Sequence, residues 1–212
     1  MIKCPLKKPR WERRKDARPQ ELLAAALDLF VERGYAATRL DDVAARAGVS
    51  KGTLYLYFEN KEELFKAVVR ENLIPALGEA EGMVGNYEGA SKDLFRDIVM
   101  GWWERLGSTR VSGISKLMIA ESNNFPEVAQ FYRDEVISRA DAMVASLLER
   151  GIRRGEFRPV DVRQATSVLC APMMMLMLSQ HANCQVHAVT PAEYLESFID
   201  LFLHGVLAGP DK

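Results

Sequence analysis

The residues of this chain best suited to chemistry lie in one short run, Ser50-Lys51-Gly52-Thr53-Leu54-Tyr55-Leu56-Tyr57. Ser50 and Thr53 offer hydroxyls, Lys51 a positive charge, and Gly52 a bare backbone that a ligand can approach closely. Tyr55 and Tyr57 carry hydroxyls that reach phosphate oxygens and rings that pack on thymine methyls. This is binding chemistry, suited to nucleic acid, rather than bond-breaking chemistry. An enzyme would want a phosphate loop, a nucleophile beside its base, or paired carboxylates beside histidine. The chain has no GxGxxG and no GxxxxGK[ST], and no catalytic residue is expected. His181, Cys184 and His187 are spaced His-x2-Cys-x2-His, yet no fourth cysteine or histidine lies near them. They read as a polar helix end and loop, so neither a metal nor a cofactor is expected.

The run needs elements to hold it, and the periodicity is helical throughout. Leu22, Leu23, Ala26, Leu27, Phe30 and Val31 form one buried stripe of a helix from Pro19 to Gly34. Thr38 with Asp41 resembles a capping box and opens a second helix with Leu40, Val43, Ala44 and Ala47 inward. Gly48 stops it, and Ser50 caps a third helix, Lys51 to about Tyr57. Residues 39–58 therefore read as a helix-turn-helix whose second helix enters the DNA major groove. Asn60 with Glu63 starts a fourth helix, about 60–77, and three glycines between 82 and 91 predict a domain boundary. Further helices are predicted at about 92–107, 112–122, 126–151, 161–182 and 191–207. The fold class is all-α.

Composition bounds the alternatives. With 48% apolar and 27% charged residues among 212, the chain is no collagen, disordered tail or disulfide miniprotein. Cys4, Cys170 and Cys184 are too few and scattered for a disulfide framework, and an odd count suits a reducing cytoplasm. No apolar stretch follows the basic start, so no signal peptide is expected. The apolar heart of the 161–182 helix, Val168 to Leu178, is about half a membrane span and contains Pro172, so a buried helix and no membrane are expected. The net charge of −1 hides an asymmetry. Residues 1–70 hold 15 Lys and Arg against 10 Asp and Glu; residues 71–212 hold 13 against 19. The first 18 residues alone carry eight positive and two negative side chains. Two readings of that start stand open: a solvated tail, or an arm that follows phosphates or enters the minor groove.

Three stretches carry a family resemblance: Phe30-Val31-Glu32-Arg33-Gly34-Tyr35-Ala36-Ala37-Thr38; Val43-Ala44 through Gly48 to Phe58; and Asn60-Lys61-Glu62-Glu63-Leu64. The chain resembles the TetR/AcrR family of bacterial transcriptional regulators over about residues 16–76. The resemblance implies a basic arm at 1–15, a helix-turn-helix DNA-binding domain at 16–76 and a helical ligand-binding and dimerisation domain at 77–212. It implies a homodimer on a pseudo-palindromic double-stranded DNA operator, acting as a repressor released by a small apolar or amphipathic ligand. The DNA contacts it implies are Thr38, Arg39, Ser50, Lys51, Gly52, Thr53, Tyr55, Tyr57 and Lys61. Leu56 stands at a variable position, and Glu59 is acidic where Lys, Pro or Gly is common.

Candidate pocket residues are Trp102, Trp103, Met118, Phe125, Phe131, Tyr132, Met143 and Cys170, with Met174 and Met177 from a methionine cluster at 173–177. Methionine adapts to varied apolar shapes, although at helical spacing core or dimer packing is the commoner use of any one of them. Glu121 is a candidate polar handle for a cationic ligand. The dimer interface implied by the family's layout comprises Leu195, Phe198, Ile199 and Phe202. Two other functions stay open: a DNA-binding regulator controlled by a protein partner, or lacking a small ligand, and a helical enzyme.

Overall fold

The computed structural model describes residues 18–181 and 189–207; the basic arm at 1–15, Cys4, Cys184 and His187 lie outside them. The described residues form eleven α-helices and no strand. They are α1 (Arg18–Ala37), α2 (Leu40–Arg46), α3 (Lys51–Tyr55), α4 (Lys61–Asn72), α5 (Ile74–Asn86), α6 (Ser91–Trp102), α7 (Ser112–Glu121), α8 (Pro126–Tyr132), α9 (Ser138–Arg153), α10 (Val162–Gln180) and α11 (Pro191–Val206). Two π-helical turns, Trp103–Gly107 and Arg133–Ile137, extend α6 and join α8 to α9.

Local signals placed most helix ends. Ser50 caps α3 by accepting the Thr53 N–H at 3.1 Å, and Asn60 caps α4 by accepting the Glu63 N–H at 2.9 Å. Gly48 takes φ +67°, a left-handed conformation that lets the chain turn sharply between α2 and α3. At Gly34, where the sequence predicts a stop, φ is +86° and the helical path breaks, although one further turn carries α1 to Ala37.

Three expectations about element ends need correction. Thr38 does not cap α2: Arg39 occupies that position without a side-chain cap. Thr38 is instead buried, its hydroxyl 2.7 Å from the Gly34 carbonyl and 3.1 Å from that of Leu29, so it ties the broken end of α1. The fourth helix does not reach 77. Pro75 opens α5, since a missing N–H costs nothing in a first turn. And α5 runs through Gly78, Gly82 and Gly85, confining the expected boundary to residues 87–90. Leu77 is buried, and Met83 and Val84 pack on the core of the body; this contact outweighs the poor helix propensity of glycine.

Two cores result. One holds α6, α9, α10 and α11 together through Leu94, Phe95, Leu148, Leu169 and Leu195. The other belongs to α1–α4, with Leu22, Phe30, Leu54, Phe65 and Val68, but it is completed by Ile114, Leu117 and Met118 of α7 and Val128 and Tyr132 of α8. A Cβ at Gly113 would lie 2.6 Å from Val31 Cγ1, so α7 meets α1 where a side chain would not fit.

Helix α10 is long and apolar enough to cross a membrane by length and composition. It is not the buried helix expected. Thr166, Leu169, Leu176 and Met177 face inward, while Val168 is 64% and Met175 48% exposed.

The N-terminus of α6 is held by a distant carboxylate. Glu156 accepts the Ser91 N–H at 2.6 Å and pairs with Arg154 at 2.6 Å; hydrogen bonds from Ser91 lead in pulling its pKa down to about 2. The unfolded chain therefore takes up a proton near pH 4.5 that the folded chain refuses until about 2. Stability from this group is full above 4.5 and is lost as pH falls toward 2. We expect Glu156→Gln to cost about 1–2 kcal/mol at pH 7 and to flatten that acid limb, measured by urea unfolding against pH.

Candidate nucleic-acid interface and ligand cavity

The α2–α3 turn presents the predicted binding residues on one surface. Leu54 is fully buried and anchors α3, while Tyr55 and Tyr57 are 45% and 41% exposed. Leu56 stands between them at 82% exposure, the most exposed large apolar side chain among the described residues. A Cβ at Gly52 would meet only Ser50 Oγ, at 3.8 Å, so the fold itself does not require glycine there. The Ser50 and Thr53 hydroxyls are 2.8 Å apart, so one donates to the other and one hydroxyl hydrogen is left for an incoming acceptor. Arg39 is exposed and makes no ion pair among the described residues. Lys51 is already engaged: Asp41 Oδ1 lies 2.9 Å away, and that bond raises the ammonium's pKa.

Lys61 departs from expectation. Its ammonium donates to the carbonyls of Tyr35 at 2.8 Å and Ala36 at 3.2 Å, and sits 4.5 Å above the Tyr35 ring. A cation at a helix C-terminus is favoured by the exposed carbonyls there. Burial lowers its pKa, with Glu121 opposing that shift.

Glu121 is therefore not a pocket handle. It accepts the Ala36 N–H at 3.4 Å and the Asn124 amide at 3.1 Å, at the junction of α1 with α7. Phe125 packs edge-on against Tyr35 at 4.6 Å, Phe131 lies under Arg70 at 5.0 Å, and Met118 is buried in the first core. Trp103 packs on the second core. None of Trp103, Met118, Glu121, Phe125 and Phe131 lines the cavity, because each is used where helices meet.

The cavity itself, about 220 Å³, lies among α5, α6, α7, α9 and α10. Of the expected residues Trp102, Tyr132, Met143, Cys170, Met174 and Met177 line it, with Met173 beside them. Both π-helical turns reach it, through Arg105 and Leu106 from one and Val136 and Ile137 from the other. Ser112 and Ser115 reach it from α7, the helix whose Ile114 and Leu117 pack with α1, and Leu73 marks its α4 end. Burial pushes the Cys170 thiol up to about 11, with Asp141 adding to the shift, so it is no nucleophile. Asp141 was not anticipated, since a lone acidic residue in an amphipathic helix reads as solvated.

A separate open groove of about 870 Å³ runs between α10 and α11. Phe198 and Phe202 line it, with Val168 and Leu201, the latter 74% exposed. Leu195 and Ile199 do not; they are buried within the subunit, on the inner side of the same stripe of α11, whose Phe198 and Phe202 also pack on that core. They serve its core and not an interface.

Residues 22–68 match the family model for bacterial regulatory proteins of the tetR family. Residues 89–201 match that for the tetracyclin repressor-like C-terminal domain. The chain is 30% identical over 194 residues to the HTH-type transcriptional regulator YhgD of Bacillus subtilis, covering 88% of this chain and 94% of that one. It is 45% identical over 69 residues to the HTH-type transcriptional activator FasR of Mycolicibacterium smegmatis, a match spanning about a third of either chain. The crystal structure of a regulator FadR from Bacillus subtilis in complex with stearoyl-CoA shares the fold, with TM-score 0.73 and 21% identity over 88% of this chain and 98% of that one.

The position of Lys61 makes a stability prediction. Lys61→Met should cost about 1 kcal/mol in urea unfolding, because two α1 carbonyls lose their cation. A residue serving only as a phosphate contact would leave stability unchanged.

Proposed function

The chain belongs to the TetR family of DNA-binding transcriptional regulators, and from that premise we propose that it is a homodimeric repressor released from its operator by a small apolar or amphipathic ligand. It acts in the cytoplasm, where bacterial DNA lies. The observation that carries this reading is the connection of cavity to head: α7 lines the cavity with Ser112 and Ser115 and packs into the head's core with Ile114, Leu117 and Met118. A ligand that prefers one seating of α7 thereby prefers one seating of α1 and of the head. That differential affinity is the coupling, typically about 1–3 kcal/mol. The stearoyl-CoA bound by the FadR relative supports an apolar chain as the occupant.

The division into arm 1–15, head 16–76 and body 77–212 is a division of labour. Phosphate contacts supply most of the affinity, from the arm and from Arg39 and Lys51. Ser50, Gly52, Thr53, Tyr55 and Tyr57 supply sequence preference, with Leu56 available for a thymine methyl. Thr38 contributes through its N–H, its hydroxyl being committed to α1. Two copies join along the α10–α11 groove, where Phe198, Phe202, Val168 and Leu201 of each bury against the other.

A mobility-shift assay on DNA flanking the gene tests this. Tyr57→Ala should lower operator affinity at least tenfold without loss of the dimer, and deletion of residues 1–14 should weaken binding and flatten its salt dependence. Wild-type affinity in Tyr57→Ala rejects the placement of the groove-facing surface; an unchanged salt slope rejects the arm. In cells, loss of the gene should raise transcription of its target, and a fall would make the protein an activator. Leu201→Glu should convert dimer to monomer in sedimentation analysis, since it places a charge in an apolar interface. A dimer that persists removes this groove as the interface.

A further inference from the structure

The polar groups of the cavity wall are answered internally, with one exception. Ser115 shares a 2.7 Å hydrogen bond with the Tyr132 hydroxyl. Ser112 donates to the Thr109 carbonyl at 2.7 Å and lies 2.7 Å from His181 Nε2. Of the two charged residues in the wall, Arg105 pairs with Glu79 at 3.4 Å, where both side chains are about half exposed. Asp141, on the α9 side, has no hydrogen bond or ion pair among the described residues. Its neighbours along the wall are Ile137, Ala140, Val144, Cys170, Met173 and Met174. Asp141 is itself exposed, at the rim of the cavity, and these surroundings desolvate its carboxylate only in part, which raises its pKa. An unpaired carboxylate at the rim of an apolar cavity favours a ligand that brings the opposite charge.

We propose that Asp141 sets the class of ligand: an amphiphile with an ammonium or quaternary ammonium head on a short apolar body. This rests on the ligand-cavity reading above and adds a sign of charge to it. The apolar body lies against Met173, Met174 and Met177, whose unbranched side chains adapt to its shape. The rings of Trp102 and Tyr132 line the same space and offer faces of the kind that attract such a cation. The volume, about 220 Å³, suits a compact ligand or a single short chain. A carboxylate head meets repulsion at Asp141, while Arg105 is already neutralised by Glu79.

The test is calorimetric titration of the full-length protein with three amphiphiles of one chain length: octyltrimethylammonium, octanol and octanoate. The cation should bind about tenfold or more tightly than octanoate, in line with the effect of one close opposite charge. Asp141→Asn should erase that preference and leave octanol affinity within about twofold, while Asp141→Glu, which keeps the charge, should retain it. Octanoate binding as tightly as the cation, or a cation affinity unchanged in Asp141→Asn, overturns the assignment. Octanol reports on the cavity alone. If octanol binds and no preference for the cation appears, Asp141 is not the determinant but the cavity reading survives. If none of the three binds, the cavity reading falls and the proposal with it.

Discussion

The head, α1–α4, does not close its own core. Tyr35, at the end of α1, is buried between Phe30 and Phe65 of the head and Phe125 of the body, with ring centroids 5.6, 5.5 and 4.6 Å away. Burial pushes its hydroxyl up to about 12. One aromatic cluster thus belongs to both parts of the chain, and α7 and α8 supply the remaining wall. Packed interiors shift between discrete arrangements instead of deforming smoothly. A head whose core is completed by the body takes its orientation from the body, which is the condition for a signal to pass between them. Lys61 and Glu121 mark the same seam in polar form, each holding backbone groups at the end of α1.

Electrostatics divide differently from packing. Residues 18–70 hold eight Lys and Arg and eight Asp and Glu, so the positive excess of the first 70 residues lies within the first 17. Within the described head, four cations are paired locally: Lys51 with Asp41, Arg46 with Glu32, Arg33 with Asp42 and Lys66 with Glu62. Exposed pairs of this kind contribute little stability, so they leave the head neutral without stiffening it.

Local structure was legible in the sequence because it depends on neighbours a few residues apart. The stripe from Leu22 to Val31, the caps at Ser50 and Asn60 and the left-handed turn at Gly48 each need only a short window. Periodicity also identified which face of a helix turns inward. It could not say against what. Phe125, Phe131 and Met118 turn inward as expected, yet toward the head and not toward a ligand. Leu195 and Ile199 share a stripe with Phe198 and Phe202, but the first two fill the subunit's core and the last two line an open groove.

What the sequence determined alone is therefore the all-α class, the helix-turn-helix and the chemistry of its exposed run, all set by short-range hydrogen bonds and a 3.6-residue period. Tertiary structure decided the rest. It drew Lys61 back onto α1, set Glu121 at the seam between head and body, shared the head's core with α7 and α8, and set Asp141 at the rim of an apolar cavity. Each of these joins residues that are distant in the chain or gives a polar residue an apolar environment. The energy at stake is desolvation, which depends on every element around a group and not on its sequence neighbours.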